Sequence, residues 1–195
     1  MSLERKALVF ASANEHKVIE VSAKMGGFPL LGLKDIGCVE EIPETAETIE
    51  GNAAMKARYV HERYGVDCFA DDTGLLVDAL KGAPGVYSAR YAGPEKDAQA
   101  NRQLLLKNLS TEVNRKAHFK TVICLIWKGQ EYFFEGKVEG HILREERGQG
   151  GFGYDSIFVA SSNSRSFAMM TTEEKNILSH RGLALKKLET FLKGG

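Results

Sequence analysis

The chain has 195 residues, and its 43% hydrophobic and 27% charged side chains are typical of a soluble globular protein of about one domain. This composition excludes collagen-like, low-complexity and broadly disordered chains. Lys and Arg together number 26, as do Asp and Glu, so the formal net charge is zero. Proteins that bind the backbone of DNA or RNA usually carry a basic excess. We therefore expect one domain over residues 1–195, no nucleic-acid polymer as partner, and only local recognition of anions.

The cysteines and the apolar runs predict a cytoplasmic protein. Cys38, Cys68 and Cys124 lie far apart and show no metal-ligand spacing, so neither a disulfide framework nor a zinc site is expected. The first apolar stretch, residues 7–11, is too short for a signal peptide. The longest apolar run, residues 122–127, is far below the roughly 20 residues of a membrane span, so no membrane partner is expected.

The predicted elements alternate between strands and helices and then continue into a hairpin. Strands are predicted over residues 7–11, 67–70, 118–127, 131–143 and 156–160. Helices are predicted from residue 14 to about 25 and over 48–64, 95–108 and a helical region 172–193. This order predicts an α/β domain built on a mixed sheet.

The first strand-to-helix junction has the character of a phosphate site. Its residues are Ser12, Ala13, Asn14, Glu15, His16 and Lys17. Free backbone N–H groups and the positive end of the helix dipole favour an anion at such a junction, and Lys17 adds a cation. Ordinary helix capping by Ser12 or Asn14, with Lys17 in solvent, explains the same residues.

Carboxylates stand in two separate segments. Glutamates before and within the second predicted helix are Glu40, Glu41, Glu44, Glu47 and Glu50. Asp71 and Asp72 follow a predicted strand, and because adjacent side chains of an extended segment face opposite ways, only one is expected to face a site. Carboxylates from separate segments near a phosphate-binding helix end suit Mg²⁺, which prefers oxygen ligands. The alternatives are a solvated acidic loop and a simple turn after the strand.

A glycine-rich segment, residues 148–155, displays Phe152 and Tyr154 beside Asp155. Its first six residues match G-x-G-x-x-G, but a strand is predicted after it, whereas a dinucleotide-binding loop opens a helix. We therefore reject a dinucleotide site. Phe152 is suited to stack on a base, while the alternative is that both rings are core residues at a tight bend.

The helical region near the C-terminus offers the donors Lys175, His180 and Arg181, which suit phosphates or base carbonyls. On one continuous helix Lys175 and His180 would point about 140° apart. Either the helix breaks near Ser179, or these residues serve different parts of a ligand. A charged surface helix is the alternative.

Taken in chain order, these segments resemble the inosine triphosphate pyrophosphatase family, also called dITP/XTP pyrophosphatases. The resemblance runs over residues 8–188, nearly the whole chain. The motifs that carry it are Ser12-x-Asn14-x-x-Lys17-x-x-Glu20, the segment 44–52 with Lys56, the segments 70–75, 82–91 and 151–155, and the segment 173–176 together with 179–181. Single pieces are weak, whereas six in the family's order at compatible spacing are highly specific.

The resemblance implies a Mg²⁺-dependent hydrolase that cleaves purine nucleoside triphosphates with a 6-oxo group, such as ITP, dITP and XTP, to the monophosphate and pyrophosphate. It also implies an elongated α/β fold with two lobes around a nucleotide-binding cleft, and a homodimer. Glu44 and Asp72 would hold the magnesium ion, with Asp72 as general base, and residues 12–17 would bind phosphate. The remaining substrate contacts would be Lys56, Thr73, Phe152, Gly153, Tyr154, Asp155, Lys175, His180 and Arg181.

Three positions depart from the family's usual pattern without removing a charge. Ala13 stands where glycine is frequent, Thr73 where Ser is common, and Ser156 where Pro is common. We therefore expect an active enzyme. The alternatives are a sensor that binds purine nucleotides without turnover and a related pyrophosphatase of modified pyrimidine nucleotides. The retained carboxylates and Lys17 argue against the first, and the segments 152–155 and 179–181 argue against the second.

Overall fold

A computed structural model describes residues 7–25 and 27–194, and within them a seven-stranded mixed sheet forms the centre of the fold. The strands are β1 Leu8–Phe10, β2 Leu30–Leu31, β3 Cys68–Val77, β4 Pro84–Gly85, β5 Lys116–Trp127, β6 Gln130–Ile142 and β7 Phe158–Ala160. Their order is β2-β1-β3-β5-β6-β7, with β4 paired to the distal part of β3. The strand β1 is parallel to β2 and β3, and the other pairs are antiparallel. The predicted mixed-sheet α/β fold is confirmed.

Five α-helices flank this sheet within the described residues. They are α1 Glu15–Lys24, α2 Ile49–Tyr64, α3 Ala98–Asn108, α4 Thr172–Leu178 and α5 His180–Gly194. The side chains of Asn14, Thr48, Asp97 and Thr171 cap the first four by accepting backbone N–H groups. The predicted third helix begins three residues later than expected because Asp97 is its cap. None of the described helices is long and apolar enough to cross a membrane.

The two helices α2 and α5 lie on opposite faces of the sheet. Cys68 and Ala70 of β3 belong to a core cluster with Ala53 and Ala57 of α2. Phe69, one position away, belongs to a second cluster that includes residues of α5. Because side chains alternate across a strand, successive residues of β3 are directed toward different helices.

Strand β3 continues further than predicted. The sequence predicts that it ends at residue 70, before a turn, but it runs to Val77 because it pairs with β5 along its whole length. Asp71 and Asp72 therefore lie within a strand and not in a turn. A smaller correction concerns residues 156–160, where a 3₁₀ turn over Asp155–Ile157 precedes the short strand β7.

The predicted hairpin is confirmed, and one of the two alternatives for the C-terminal helical region is decided. Strands β5 and β6 form a hairpin in which Trp127 pairs with Gln130, and the two residues between them, Lys128 and Gly129, both have positive φ. That geometry is typical of the tight turns that match strand twist. The C-terminal helical region breaks at Ser179, which is extended and whose hydroxyl accepts the N–H of Gly182.

Candidate active site

Asp71 and Asp72 face opposite sides of strand β3 and meet different partners. Asp71 points toward α5, where its two oxygens accept from Lys17 Nζ at 3.0 Å and Arg181 Nε at 2.8 Å. Asp72 points toward α2, where it accepts from Asn52 Nδ2 at 3.2 Å and lies 4.0 Å from Lys56 Nζ. The expected alternation holds, but both carboxylates, and not one, are built into charged clusters.

Asp71 is 1% exposed, and its charge is held by two cations. Burial alone would raise the pKa of this carboxyl, but the charges of Lys17 and Arg181 outweigh it and keep the pKa below its usual range. Burial in turn lowers the pKa of the Lys17 ammonium, against the attraction of Asp71. Helix capping alone would leave Lys17 in solvent. In the structure its ammonium is instead paired with Asp71.

Capping nevertheless orders the turn that carries Lys17. Asn14 Oδ1 accepts the N–H of Lys17 at 3.2 Å, and Ser12 Oγ accepts the N–H of Asn14 at 3.2 Å. Ala13, at the position where the related family often has glycine, does not have a positive φ and so carries no backbone strain. Residues 13–16 are exposed and Lys17 is half-buried, so the turn leaves backbone N–H groups open beside a cation, and the phosphate site stays a prediction.

Glu20 connects the cations at the start of the C-terminal helices. Its carboxylate accepts from Arg181 Nη1 on one oxygen and from Lys175 Nζ on the other, and Lys175 also donates to Asp155 Oδ2 at 2.6 Å. Burial would raise the pKa of Glu20, but the charges of Arg181 and Lys175 lower it overall. The sequence predicts no role for Glu20 beyond its place in the first motif, although Glu20 follows Lys17 by three residues and so lies on the same side of α1.

The ring of Phe152 lies over this cluster. Lys175 Nζ is 4.6 Å from the ring centroid, and the guanidinium carbon of Arg181 is 5.7 Å from it. His16, from the predicted phosphate turn, stacks on Phe152 at 5.1 Å with an interplanar angle of 8°. Asp155 holds the segment in place by accepting the N–H of Phe152 at 2.8 Å. Phe152 thus stacks on the His16 ring and contacts two cations in this structure.

On the α2 side, Glu44, Lys56 and Asp72 come together from three separate segments. Lys56 Nζ donates to Glu44 Oε1 and is also near Asp72, so both carboxylates border one position. Burial raises the pKa of Asp72, more than the charge of Lys56 lowers it. Asn52, for which the sequence predicts no role, connects Asp72 to the loop before α2. Its Nδ2 donates to Asp72, and its Oδ1 accepts the N–H of Ala46.

Two predicted substrate contacts have different surroundings from those expected. Tyr154 is 5% exposed, packs in the core and donates its hydroxyl to the carbonyl of Ser88 at 2.8 Å, so its ring is a core residue. Gly153 forms part of the turn at φ 59°, and its carbonyl accepts from Arg102. Of the two alternatives for the aromatic pair, Tyr154 follows the structural one, whereas Phe152 is half-buried outside the core clusters and its contact with a base stays a prediction.

His180 is also buried, at 3% exposure, and stacks on Phe119 at 4.5 Å. Burial lowers its pKa well below the usual value, so the ring is neutral at physiological pH. Its Nδ1 lies 2.6 Å from the hydroxyl of Thr121. Thr73 accepts from Arg181 Nη2 at 3.1 Å and thus lies beside Asp71 on the α5 side.

Comparison with known proteins agrees with this arrangement. The Ham1 family matches residues 8–191. The chain belongs to the Ham1 family. Among its relatives, a dITP/XTP pyrophosphatase of Porphyromonas gingivalis is 54% identical and covers 95% of this chain and 96% of its own. A dITP/XTP pyrophosphatase of Flavobacterium johnsoniae is 52% identical, with 95% and 97% covered.

The Ham1 fold is recognised in solved structures as well. The Ham1 protein of Staphylococcus aureus superposes with a TM-score of 0.88 at 35% identity, and the match covers 97% of this chain and 99% of that one. The family resemblance inferred from the motifs is thereby confirmed. All the segments that carried it lie within the matched Ham1 region.

Proposed function

We propose that this protein hydrolyses non-standard purine nucleoside triphosphates, dITP, XTP and ITP, to the monophosphate and pyrophosphate. One observation carries the proposal: strand β3 brings a carboxylate and lysine cluster on one face next to a cation and aromatic cluster on the other. The first suits a triphosphate and the second a base. The names of the relatives that match over nearly their full length support the same activity.

The triphosphate would lie between α1 and α2. Lys17 and Lys56 supply buried positive charge there, and the turn before α1 offers free backbone N–H groups. Attack on the α-phosphorus develops negative charge on the phosphoryl oxygens and on the pyrophosphate leaving group. Groups already placed around that charge lower the barrier, which is the main contribution of protein side chains to phosphoryl transfer.

Magnesium fits the residues on the α2 side. Glu44 and Asp72 both border the Lys56 ammonium, so their oxygens surround a position that favours a cation. Within residues 7–25 and 27–194, no group of three or more His, Cys, Asp or Glu side chains is arranged to hold a metal ion. Two carboxylates are enough for Mg²⁺, which usually keeps several waters and binds substrate phosphates. When bound, the ion would neutralise phosphate charge.

Asp72 would orient and deprotonate the attacking water. Its raised pKa makes it a better proton acceptor than an exposed aspartate, and Asn52 fixes one of its oxygens. Its side chain is directed toward Lys56 and away from Arg181, and this supports a position beside the proposed triphosphate.

The base would take the place of the His16 ring on Phe152, beside the cations Lys175 and Arg181. N–H donors at this position complement a 6-oxo oxygen, which accepts hydrogen bonds. The 6-amino group of adenine is itself a donor, so it would face the donors of Lys175 and Arg181 without an acceptor. Glu20 and Asp155 keep those donors fixed in direction by accepting their other hydrogens. The arrangement therefore favours 6-oxopurines over adenine.

The deciding experiment measures pyrophosphate release from XTP, dITP, ITP, GTP, ATP and a modified pyrimidine nucleoside triphosphate, each with and without Mg²⁺. We expect Mg²⁺-dependent release that is fastest with XTP, dITP or ITP and slow with ATP. Tight binding of these nucleotides without turnover would favour the sensor instead. Release mainly from modified pyrimidine nucleotides would contradict the assignment of the base site.

We also propose that the active protein is a cytoplasmic homodimer. The resemblance to the family supports the dimer, and the three buried free thiols are compatible with a reducing compartment. Sedimentation velocity over a range of concentrations tests the assembly, since a monomer throughout would contradict it. Fractionation of the producing cells tests the compartment.

A further inference from the structure

A continuous chain of hydrogen bonds joins the two strands at the centre of the sheet to the start of α5. Arg181 Nη2 lies 3.1 Å from Thr73 Oγ1, Thr73 Oγ1 lies 2.7 Å from Thr121 Oγ1, and Thr121 Oγ1 lies 2.6 Å from His180 Nδ1. Thr73 and Thr121 are directly paired in the ladder between β3 and β5. Adjacent residues of α5 thus close a loop through two hydroxyls.

The direction of the protons in this chain follows from its first member. A guanidinium has only donors, so Thr73 must accept from Arg181 and has its own hydrogen left to donate. Thr121, whose side chain is fully buried, is the partner that Thr73 has for that hydrogen among the described residues. Thr121 then donates its single hydrogen to His180 Nδ1. A hydroxyl that accepts from a cation is also a stronger donor, which favours the same direction.

The opposite direction breaks the chain at Thr73. If His180 Nδ1 carried the proton and donated to Thr121, Thr121 would donate to Thr73, which already accepts from Arg181. Thr73 is half-buried, so its hydrogen would then point to solvent and not to an acceptor among the described residues. The direction that starts at Arg181 instead lets each bond strengthen the next, and this favours Thr121 as the donor to His180.

We propose that Thr121 is a positioning residue that holds His180 in the tautomer with its proton on Nε2. The imidazole then presents an N–H donor on the side away from Thr121. Among the described residues, Nε2 has no hydrogen-bond partner, and it is not one of the buried polar atoms that lack one, so it reaches accessible surface. On the basis of the proposed function, this N–H donates a hydrogen bond to an oxygen of the purine. An amino group at the same position of the purine could not accept that hydrogen bond.

The register of the sheet explains why Thr121 serves this purpose. Its neighbours on the same side of β5, Phe119 and Ile123, are core residues, and Phe119 stacks on His180. The ring therefore has its plane fixed by Phe119 and its rotation fixed by the hydroxyl of Thr121. A valine at position 121 would keep the shape of the side chain and remove only the hydrogen bond.

Long-range ¹H–¹⁵N NMR of ¹⁵N-histidine-labelled protein tests the tautomer directly, without substrate. The His180 signals are assigned by their loss in His180→Gln. We expect a proton on Nε2 and an Nδ1 resonance typical of a hydrogen-bonded acceptor. In Thr121→Val the Nδ1 resonance should move to that of a free acceptor, and in Thr121→Ser it should return. A proton on Nδ1 in the unsubstituted protein, or an unchanged Nδ1 resonance in Thr121→Val, overturns the proposal.

Kinetics test the consequence for the substrate. For XTP, Thr121→Val should raise KM about tenfold while pyrophosphate inhibition stays the same, and Thr121→Ser should restore KM. Thr190→Val, which removes an exposed hydroxyl from the same helix as His180, is the matched control and should change neither. The NMR result stands apart from activity: a protein that hydrolyses no triphosphate refutes the proposed function and leaves the tautomer decided. An unchanged KM beside the expected NMR result refutes the role in base binding.

Discussion

The neighbouring carboxyls of Asp71 and Asp72 on strand β3 have pKa shifts in opposite directions because their surroundings differ. Asp71 sits between two cations that hold its charge, and the pKa of the carboxyl is lowered. Asp72 is half-buried, and the nearby positive charges offset the effect of its burial less, so its pKa is raised. The strand alternation that separates them is visible in the sequence. The partners are not, because Lys17 and Arg181 come from opposite ends of the chain.

Substitution of each carboxylate should separate catalysis from stability. Asp72→Asn should lower kcat at least about 100-fold, because it removes the proposed base and metal ligand, with little change in the free energy of unfolding. Asp71→Asn should lower the free energy of unfolding by about 3–5 kcal/mol, because it leaves Lys17 and Arg181 buried with a neutral partner. Urea denaturation and steady-state kinetics measure both. Equal, mild effects at the two positions would contradict the assignment.

The buried, neutral His180 should make stability depend on pH. Burial, followed by the charges of Arg181 and Lys175, lowers its pKa in the folded state. Below about pH 6.5 the unfolded chain therefore binds a proton that the folded protein does not, and the free energy of unfolding falls by up to about 1.4 kcal/mol per pH unit from this group. Urea denaturation at about pH 7 and about pH 5.5 measures the slope.

The comparison with His180→Gln isolates this residue from the other titrating groups. Burial also lowers the pKa of His118, which contributes in the same direction in both proteins. We expect a smaller loss of stability on acidification in His180→Gln than in the unsubstituted protein. The same loss in both would show that His180 is protonated in the folded state.

At the level of elements, the position of α5 depends on two close backbone approaches. A Cβ at Gly136 of β6 would lie 1.9 Å from the carbonyl oxygen of His180, and one at Gly182 would lie 1.9 Å from that of Asn176. The first glycine allows the helix to begin directly on the sheet, and the second allows the sharp corner between α4 and α5. Together they place Arg181 beside the ring of Phe152 and His180 against Phe119.

Gly136→Ala should therefore damage both the fold and the site. The added methyl group must displace the first turn of α5, so we expect the free energy of unfolding to fall by about 2–3 kcal/mol, together with a rise in KM for the nucleotide. Gly194→Ala, in the same helix but with nothing within 4 Å of the added Cβ, is the control and should change neither. Wild-type stability in Gly136→Ala would mean that α5 tolerates a shift.

Local patterns predicted most of the elements but not their ends or their long-range contacts. Turn residues indicate the hairpin at Lys128, and a capping residue accounts for the helix break at Ser179. The extension of β3 past residue 70 is not, because it arises from pairing with β5, some 50 residues later in the chain. Propensity within β3 alone indicates a turn, and the ladder overrides it.

For the whole molecule, the charged site residues were predictable as a set, whereas their pairing was not. Motifs in chain order identified Lys17, Lys175 and Arg181, but the bridge between them, Glu20, is 155 residues from Lys175 and 161 from Arg181. Likewise, the sequence predicts substrate contacts for both Phe152 and Tyr154. Only the packing with residues of β3, α3 and β5, together with the hydrogen bond to Ser88, shows that Tyr154 belongs to the core.

The charge balance of the molecule also predicts what it does not bind. The net charge is zero, and the cations of the site, Lys17, Lys175 and Arg181, are buried against Glu20, Asp71 and Asp155. Such paired charges create no extended positive surface, and a surface of that kind is what gives nucleic-acid affinity and its dependence on salt.

Single- and double-stranded DNA should therefore bind only weakly at physiological salt, while small anions reach the site. Fluorescence anisotropy with labelled oligonucleotides measures the first, and competitive inhibition of nucleotide hydrolysis by pyrophosphate measures the second. Lys17→Met should weaken pyrophosphate inhibition and leave the weak DNA binding unchanged, since Lys17 lies in a buried pair with Asp71 and offers no contact to a duplex. Sub-micromolar DNA binding that falls steeply with added salt would show that unpaired surface charge, and not the local site, dominates anion recognition.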